Sequence, residues 1–578
     1  MTPRRIVRRP VPASPPQWGE SLPPLVRRLY AARGVESEQE LEYTLRRLAS
    51  PFDLRGIDWA VAVIDEAIEN QQRILVVGDF DADGATSTAV AMLGLQALGA
   101  NDLDFRVPSR FSDGYGLTPG ILDRLEAEGA LPDLMITVDN GIAAVDGVQA
   151  ARDRGIRVVV TDHHLPGDRL PPADAIVNPN QPDCPFLSKH AAGVGVMFYV
   201  LTALRRYRRD EGRLRNEPNL GHLLDLVALG TVADVVPLDH NNRIFVEQGL
   251  RRIRQGQARP GVMALLEVAG RDPARITSSD LGFAVGPRLN AAGRLDDMSI
   301  GIACLLADSP DEARRLASEL DTMNRERRTI ETGMKEQAQA ILSTLSLDEA
   351  GLPHGLALYD ADWHQGVIGI LAARIREQTH RPVVAFAPGE EEGLLKGSAR
   401  SIPGLHIRDV LAGVDARSPG LLHKFGGHAM AAGMSLDANA FEDFQQVFDA
   451  VVRETVTDDA LEPTIITDGP LAGSDLTLDT ALTLRQSGPW GQHFPEPSFD
   501  GEFEVLHQRI VGERHLKLLL RLPGHEEPVD GIAFNTGAEV PDYTRSGARV
   551  VYKPDANTFR GRTRLQLLVD YIEPITGG

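Results

Sequence analysis

Residues Ile74–Ser87 read Ile-Leu-Val-Val-Gly-Asp-Phe-Asp-Ala-Asp-Gly-Ala-Thr-Ser, and the fold can be worked out from this stretch. The unbroken apolar run Ile74–Val77 predicts a strand buried on both faces, as in a parallel sheet, and a helix of small residues begins near Ala85. The turn between them carries three carboxylates, Asp79, Asp81 and Asp83. Carboxylates this close repel one another unless a cation lies between them, and oxygen ligands favour hard divalent ions such as Mg²⁺ or Mn²⁺. The alternative is a solvated turn that caps the following helix.

Length, composition and charge limit the classes of protein to be considered. At 578 residues the chain exceeds one domain, and a hydrophobic content of 42% suffices for ordinary cores. The two cysteines, Cys184 and Cys304, exclude a disulfide framework and fit a reducing compartment. The start of the chain is basic and proline-rich, and no apolar run reaches membrane-spanning length, so we expect a cytoplasmic protein without membrane association. A net charge of −21 argues against broad nucleic-acid binding but is compatible with a local basic channel.

Polar residues directly follow three further predicted strands. These strands are Leu134–Val138, followed by Asp139-Asn140-Gly141; Arg157–Thr161, followed by Asp162-His163-His164; and Asp174–Val177, followed by Asn178-Pro179-Asn180. In open parallel sheets, functional residues gather beyond the carboxyl ends of the strands. The sequence therefore predicts one site that combines Asp, His and Asn side chains.

These segments resemble, in order, the motifs of the DHH phosphoesterase superfamily. The matching segments are Gly78-Asp79-Phe80-Asp81-Ala82-Asp83-Gly84, Val138-Asp139-Asn140-Gly141, Asp162-His163-His164 and Gly230-Thr231-Val232-Ala233-Asp234-Val235-Val236-Pro237-Leu238. Later segments are similar to those of the superfamily's branch of single-strand-specific exonucleases: Gly286-Pro287-Arg288-Leu289-Asn290-Ala291-Ala292-Gly293-Arg294, Trp363-His364-Gln365-Gly366-Val367-Ile368-Gly369 and Gly426-Gly427-His428-Ala429-Met430-Ala431-Ala432-Gly433. The similarity covers nearly the whole chain.

The resemblance implies an α/β fold of several domains. A parallel-sheet DHH domain is joined by a long helix to a smaller α/β DHH-associated domain, and a C-terminal OB-type β-barrel follows. We place the units at 1–50 (N-terminal arm and helix, the helix around Ser37–Ala49), 51–308 (DHH catalytic domain), 309–345 (connecting helix), 346–458 (DHH-associated substrate-binding domain) and 459–578 (OB-type nucleic-acid-binding domain). The residues themselves support this division, since Ser309-Pro310-Asp311-Glu312 is a helix start and short alternating segments near the end predict a small barrel.

A two-metal centre accounts for the acidic and histidine residues. Asp139, alone at its strand end, suits a carboxylate that bridges two ions about 3.5–4 Å apart. The predicted metal ligands are Asp79, Asp81, Asp83, Asp139, His163 and Asp234, and the predicted catalytic residues are Asp83, Asp139, His163 and His164. Mixed oxygen and imidazole ligands favour Mn²⁺, with Mg²⁺ the alternative.

Two points about this centre stay open. Many members of the superfamily have a histidine ligand near the position of Val77, so either Asp79 or water completes the first metal site. His164 either binds metal or contacts the substrate.

Substrate-binding residues are predicted in the later motifs and after the predicted 104–107 strand. They are Arg110, Asn290, Arg294, Trp363, His364, Ser398, Arg400, Gly426, Gly427 and His428. The Lys396–Ser401 segment is small, polar and basic, and it suits a loop that holds phosphate. Basic and aromatic residues predicted to line the barrel's groove are Arg509, Arg514, Lys517, Phe559, Arg560, Arg562 and Arg564. A further basic cluster, Arg205, Arg206, Arg208 and Arg209, favours a solvated helix end over a DNA contact.

The resemblance implies a 5′→3′ exonuclease for single-stranded DNA that releases mononucleotides by two-metal hydrolysis, in DNA repair and recombination. It also implies single-strand-binding protein and a helicase as partners, and we expect a monomer. The alternatives are a DHH-family phosphodiesterase of short oligonucleotides or cyclic dinucleotides, and a catalytically silent replication scaffold. The long chain with its barrel argues against the first, and the intact acidic motifs argue against the second. We expect slow hydrolysis to remain when residues beyond about 460 are removed.

Overall fold

A computed structural model describes most of the chain. The described residues are 4–13, 18, 22–108, 116–295, 297–344, 352–389, 391–427, 429–512, 514–537, 540–559 and 561–575. The predicted fold class is confirmed: a parallel α/β sheet, a long helix, a second α/β sheet and a barrel follow one another along the chain.

Three elements precede the first sheet: strand β1 (Arg5–Arg8), helix α1 (Pro24–Ala31) and helix α2 (Ile57–Glu69). The helix predicted around Ser37–Ala49 is wrong, because the structure has two separate 3₁₀ turns there, Glu38–Leu41 and Leu45–Arg47. Neither turn contains a buried residue, so no apolar face holds a longer helix against the core.

The first domain is built on a parallel sheet with the strand order β3-β2-β4-β5-β6. Its elements are β2 (Ile74–Val77), α3 (Ala82–Ala97), β3 (Leu103–Arg106), α4 (Pro119–Ala127), β4 (Leu134–Val138), α5 (Val145–Asp153), β5 (Arg157–Thr161) and β6 (Ala175–Val177). Both faces of the sheet are covered: Ile74 and Val76 pack with residues of α2 and α3, whereas Leu75 and Val77 pack with residues of α4 and α5. Coverage of both faces explains the unbroken apolar run of β2.

Helices complete the first domain after the sheet. They are α6 (Gly193–Asp210), α7 (Leu224–Ala233), α8 (His240–Arg254), α9 (Pro260–Val268), α10 (Ser278–Asp280), a π-helical turn (Leu281–Val285), α11 (Gly286–Leu295) and α12 (Ser299–Leu306). Gly230 lets α7 pack closely on α3, since a Cβ there would overlap the hydroxyl of Thr86. This close packing brings Asp234, at the end of α7, toward the carboxyl edge of the sheet.

The connecting helix α13 (Pro310–Thr344) leads to the second domain. Its first turns bury Ala313, Leu316, Ala317 and Leu320 in the first core. The second domain comprises β7 (Leu356–Tyr359), α14 (Gln365–Thr379), β8 (Val383–Pro388), β9 (Leu394–Arg400), α15 (Ile407–Arg417), β10 (Lys424–Gly427), β11 (Ala431–Asp437) and α16 (Phe441–Thr455). Its sheet has the order β10-β11-β9-β8-β7, in which only β7 and β8 are parallel.

The barrel domain begins with β12 (Thr464–Thr467) and α17 (Leu478–Gln486). Five strands then close a barrel in the order β13-β14-β15-β17-β16. These strands are β13 (Phe499–Val511), β14 (His515–Arg521), β15 (Val529–Ala533), β16 (Ala548–Phe559) and β17 (Arg562–Pro574). The small barrel predicted from short alternating segments is present, and residues such as Phe499, Leu518 and Leu567 are buried in its core.

The barrel domain is interlocked with the rest of the chain. β1 pairs in parallel with β12, and Arg8 on β1 forms an ion pair of 2.9 Å with Asp500 on the barrel. The segment 487–496, which precedes the barrel, places Trp490 and Phe494 in the core of the first domain. The backbone N–H of Leu238 donates to the carbonyl of Gln492 at 2.8 Å. Residues of the predicted unit 459–578 therefore pack in two hydrophobic cores, that of the barrel and that of the first domain.

No helix in the described part of the chain combines the length and the apolar character that crossing a membrane requires.

Candidate active site

Acidic and histidine side chains from three strand ends and one helix end meet at the carboxyl edge of the first sheet. We call the following six residues the Asp/His cluster: Asp79, Asp81, Asp83, Asp139, His163 and Asp234. Potential ligand atoms lie within 4.8 Å of one another in three groups: Asp79, Asp81 and Asp139; Asp83, His163 and Asp234; and Asp139, His163 and His164. The structure thus brings together every residue predicted as a metal ligand, and Asp139 belongs to two of the groups.

His163 lies at the centre of the Asp/His cluster. Its Nε2 is 3.0 Å from Asp139 Oδ1, 3.5 Å from Asp234 Oδ2 and 4.0 Å from Asp83 Oδ2. Among the described residues, the buried Nε2 of His163 and Oδ2 of Asp234 have no hydrogen-bond partner. Burial, followed by the nearby His164, lowers the pKa of His163 to about 4. The imidazole is therefore neutral at pH 7, which is the form that binds metals.

Asp83 is held by the N-terminus of α6. Its two carboxylate oxygens accept the backbone N–H groups of Gly193 at 2.7 Å and Val194 at 3.1 Å. Free N–H groups at a helix N-terminus favour a carboxylate, so this contact fixes the orientation of Asp83. Gly193 also permits the approach of Asp139, because a Cβ at Gly193 would lie 2.6 Å from Asp139 Oδ1.

The other two aspartates of the first motif are anchored locally. Asp81 caps α3 by accepting the N–H of Gly84 at 2.9 Å, and Asp79 accepts the N–H of Phe80 at 2.7 Å. The helix-cap alternative for this turn is thus true of Asp81, which nevertheless groups with Asp79 and Asp139.

Burial and mutual repulsion raise the pKa of four carboxylates of the Asp/His cluster in the metal-free protein: Asp79, Asp83, Asp139 and Asp234. Burial, followed by the charge of Asp81, raises the pKa of both Asp79 and Asp83 to about 7. Burial, followed by the charge of Asp83, raises the pKa of Asp139 and Asp234 well above the usual range. A site with this much buried negative potential is suited to divalent cations.

Asp162 orients the histidine pair and lies outside the Asp/His cluster. Its Oδ1 is 2.8 Å from His164 Nδ1 and accepts the backbone N–H of His163 at 2.7 Å, while its Oδ2 accepts the N–H of Ile142 at 2.9 Å. Burial lowers the pKa of His164, but the bond to Asp162 and nearby carboxylates outweigh burial, so the net pKa is raised. A metal or a substrate would therefore meet His164 through its other ring nitrogen, Nε2.

Asparagine side chains hold the loops of the site, and sequence reasoning missed these roles. Asn180 donates to the carbonyls of His163 at 2.6 Å and Lys189 at 3.2 Å, and Asn178 donates to the carbonyl of His164 at 2.9 Å. Asn140 ties the ends of β2 and β4 by donating to Val77 and Val138. The Asn-Pro-Asn run at a strand end was visible in the sequence, but its hydrogen-bond partners were not.

Two of the predicted substrate-binding residues lie on α11, beside the Asp/His cluster. Asn290 Oδ1 accepts the backbone N–H of Ala82 at 2.8 Å, so its side chain braces the first motif. Gly293 permits this packing, since a Cβ there would overlap the carbonyl oxygen of Phe80. Arg294 is exposed at the end of the same helix. Arg110 lies outside the described residues.

In the second domain, Ser398 and Arg400 form a positively charged site. The predicted phosphate loop Lys396–Ser401 is instead strand β9, continuing to Arg400, because alternate residues are buried in the core. Arg400 Nη1 donates to Ser398 Oγ at 3.0 Å and to the carbonyl of Ala399 at 2.8 Å. Burial, followed by the nearby Arg376, lowers the pKa of Arg400. Within the described residues Arg400 has no acidic partner, and such a guanidinium suits an anion.

The remaining predicted residues of the second domain have mixed outcomes. The prediction for Trp363 is wrong, because its side chain is only 7% exposed and packs in the core with Val367 and Leu371. His364 is exposed and caps α14 by accepting the N–H of Gly366 at 3.1 Å. Gly426 and Gly427 lie on edge strand β10, and Gly427 has a φ of 146°. His428 lies outside the described residues.

A basic groove of about 880 Å³ lies on the barrel. Four of the residues predicted to line such a groove are there, Arg509, Lys517, Arg562 and Arg564, together with Phe534, which sequence reasoning missed. Arg514 lies outside this groove, and the side chain of Phe559 and residue Arg560 are not among those described.

The basic cluster on α6 pairs with acidic residues of the same chain. Its ion pairs are Arg205 with Glu217 (3.5 Å), Arg206 with Asp210 (3.7 Å), Arg208 with Asp65 (2.6 Å) and Arg209 with Asp210 (2.9 Å). A structural role for this cluster, favoured from the sequence, agrees with these contacts.

Comparison with known proteins identifies the families and solved structures to which the chain is similar. The DHH family, N-terminal domain, matches residues 73–231; the DHHA1 domain matches 353–454; and the RecJ OB domain matches 467–571. A relative from Salmonella typhimurium, the single-stranded-DNA-specific exonuclease RecJ, is 55% identical over 559 residues, which cover 96% of each chain. The crystal structure of RecJ from Thermus thermophilus in complex with Mn²⁺ has a TM-score of 0.74 at 30% identity and covers 96% of this chain and 76% of that chain. The corresponding Mg²⁺ complex has a TM-score of 0.69 at 29% identity, with the same coverage.

Proposed function

The chain belongs to the RecJ family, and on that premise we propose that it is a single-stranded-DNA-specific exonuclease that depends on divalent metal ions. The observation that carries this proposal is the Asp/His cluster, in which a neutral His163 lies 3.0–4.0 Å from the buried Asp83 and Asp139 and the partly buried Asp234. These donors are typical of hydrolytic metal centres that act on phosphodiesters.

We propose that the Asp/His cluster holds two ions. Asp79, Asp81 and Asp139 form one group of donors and Asp83, His163 and Asp234 form the other, with Asp139 positioned to bridge them. The buried Nε2 of His163 and Oδ2 of Asp234, which have no hydrogen-bond partner among the described residues, fit metal ligands. The imidazole donor favours Mn²⁺ over Mg²⁺. When bound, such ions lower the pKa of a water molecule and neutralise charge on the phosphate.

The protein's own residues keep this site in shape before any ion binds. The N-terminus of α6 fixes Asp83, and Asp162 fixes the ring of His164 through Nδ1. Such outer contacts are worth about 10- to 100-fold in metal affinity or activity. We propose that His164 contacts either the substrate phosphate or the metal, the same two roles that the sequence predicts.

Two positively charged surfaces suit the rest of the strand. Arg400 with Ser398 is proposed to bind a phosphate in the second domain, and Gly369 leaves room there, since a Cβ would lie 3.0 Å from Arg400 Nη2. The groove on the barrel is proposed to bind single-stranded DNA through Arg509, Lys517, Arg562 and Arg564, with Phe534 available for stacking.

Direction, product and partners rest on the family alone. We propose 5′→3′ degradation to mononucleotides in DNA repair and recombination, with single-strand-binding protein and a helicase as partners. A monomeric state and a cytoplasmic location stay predictions.

A nuclease assay tests the proposed function. The substrates are a 5′-labelled single strand, the same sequence as a duplex, and a dinucleotide, each with Mn²⁺, Mg²⁺ or EDTA. We expect cleavage of the single strand with either metal, none with EDTA, and little cleavage of the duplex. Preference for the dinucleotide would point to a small-substrate phosphodiesterase, and no cleavage of any substrate would contradict an enzymatic role.

A further inference from the structure

Phe283 is the most exposed aromatic side chain in the described part of the protein. Its relative exposure is 80%, although it lies on a helical segment whose neighbours Ala284 and Val285 are buried. The backbone at this point forms the π-helical turn Leu281–Val285. Turns of this kind occur often at functional sites, because the extra residue re-aims a side chain that a regular α-helix would place elsewhere.

The π-helical turn packs on the helix end that carries Asp234. A Cβ at Gly282 would lie 3.2 Å from Val232, and one at Gly286 would lie 3.3 Å from Ala233. Val232 and Ala233 directly precede Asp234 of the Asp/His cluster. Phe283, between those two glycines, therefore projects from a segment fixed beside the cluster.

An accessible track leads from Phe283 along α11. Along this segment the partly or fully exposed positions are Phe283, Pro287, Asn290 and Arg294, and every residue between them is buried. At about 1.5 Å per residue the track is about 16 Å long. Its third member, Asn290, contacts the first motif through the N–H of Ala82, so the track passes the Asp/His cluster.

A second apolar side chain lies beside the cluster. Val235, which directly follows Asp234, is 62% exposed and has a φ of 61°. A β-branched residue adopts this left-handed conformation only at a cost, and such strain clusters at functional sites. Two apolar groups are thus presented to solvent next to a site built for a polyanion.

We propose that Phe283 is a stacking platform for one base of the single strand whose phosphate is bound at the Asp/His cluster. The faces of nucleobases are the apolar part of this substrate, and stacking on an aromatic ring tolerates any sequence. Asn290 and Arg294 lie on the same track, so the strand follows α11 with its backbone toward the polar members and a base on Phe283. This inference rests on the proposed function and adds a residue that the motifs did not indicate.

The test combines Phe283→Ala with abasic substrates. A 5′-phosphorylated single strand is prepared intact and with one abasic residue at each of its first several positions, and kcat and KM are measured for each. With the intact strand we expect Phe283→Ala to raise KM about 5- to 150-fold, the range of one base–aromatic stack, with kcat changed far less. One abasic position should raise KM of the unaltered protein similarly and should have no further effect in Phe283→Ala.

Two further variants keep the test specific. Phe283→Trp retains an aromatic face and should preserve KM, and it shows that the segment tolerates substitution. Trp59→Ala is the matched control, because Trp59 is 71% exposed on α2, which precedes the sheet, and its removal should leave KM unchanged.

Each outcome decides the proposal. An unchanged KM in Phe283→Ala, or additive effects at every abasic position, would overturn the platform while leaving the exonuclease function intact. If the unaltered protein cleaved no single strand, the proposed function itself would fail, and the platform with it.

Discussion

The Asp/His cluster of the first domain and the Arg400 site of the second carry opposite charge and are held in place differently. Asp79, Asp83 and Asp139 of the cluster are buried, backbone N–H groups of α6 fix Asp83, and Asp162 accepts the backbone N–H of His163. Arg400 is half-buried and is held by one hydroxyl and one carbonyl. The difference indicates a division of labour: rigid, preorganised carboxylates suit metal chemistry, whereas a less constrained guanidinium suits a grip on phosphate.

The largest expected effect comes from the centre of the cluster. Asp139→Asn keeps the volume of the side chain but removes the charge that is proposed to bridge the two ions. We expect kcat to fall by more than about a hundredfold, beyond the usual cost of removing a group that only orients a metal ligand. Because burial and neighbouring charge already raise the pKa of Asp139, a neutral amide should be tolerated without unfolding, as thermal melts in EDTA can check. Near-normal cleavage in Mn²⁺ would show that Asp139 is not part of the metal centre.

The second prediction concerns Arg400. Arg400→Ala removes a charge-assisted hydrogen bond of about 1.5–3 kcal/mol, so kcat/KM should fall roughly ten- to a hundredfold, mainly through KM. The matched control is Arg374→Ala on α14, where the arginine is paired with Glu377 at 2.6 Å and should matter little. A loss confined to kcat would mean that the two sites are not divided in this way.

A smaller effect is expected at the barrel. Replacing Arg562 and Arg564 together with alanine should weaken single-strand binding several-fold and flatten its salt dependence by roughly 0.7 for each phosphate that the protein no longer binds. Arg545→Ala, at an exposed arginine paired with Asp542, is the control. Binding isotherms over a range of salt concentrations measure both quantities. An unchanged slope would place the DNA elsewhere than in the groove.

Removing all residues beyond about 460 would disturb the first domain as well as the barrel, so this truncation does not test the barrel alone. Trp490 and Phe494 would be removed from the first core, and Leu238, close to Asp234, would lose its bond to Gln492. The expectation that slow hydrolysis survives such a truncation therefore no longer follows. Point substitutions in the groove avoid this damage.

The smallest expected effect is a pH dependence of stability in the metal-free protein. Folding raises the pKa of Asp79 and Asp83 to about 7, from about 3.9 in the unfolded chain. The folded state thus binds more protons between these values, so stability is gained below about pH 7 and lost as the pH rises through it. Folding lowers the pKa of His163 to about 4, so below its unfolded pKa of 6.5 this imidazole makes stability rise with pH. Because one imidazole acts against several carboxylates, the carboxylates determine the net dependence on pH.

Melting temperatures check this expectation. In EDTA, Tm should be a few degrees higher near pH 6 than near pH 8, and Mn²⁺ should remove the difference by neutralising the carboxylates. Greater stability near pH 8 in EDTA would contradict the self-repulsion of the cluster.

Much of the fold and most of the candidate metal ligands could be predicted from short-range pattern. The apolar run Ile74–Val77 determined a strand covered on both faces, and the aspartates beyond it had to lie at the carboxyl edge of a parallel sheet. The carboxyl ends of parallel strands meet at that edge regardless of the loop conformations. Spacing and motif order alone therefore predict that Asp139 and His163 lie close together.

Errors arose where tertiary burial overrode composition. Trp363 belongs to a motif, yet its indole fills the core of the second domain. Lys396–Ser401 has the composition of a loop, yet pairing on both sides makes it strand β9 up to Arg400. The composition of a segment indicates which interactions its side chains can make. Strand pairing and burial, however, depend on segments that are distant in sequence.

By itself the sequence determined the buried parallel sheet and the acidic and histidine residues at its edge, because these depend on periodicity and on local motifs, and its resemblance to a known superfamily implied the order of the domains. Only the tertiary structure decided that α6 holds Asp83, that asparagines brace the loops, that Trp490 and Phe494 tie the barrel domain to the first core, and that Phe283 stays exposed beside Asp234. Each of these depends on contacts between residues far apart in the chain, and such contacts leave no periodic trace in the sequence.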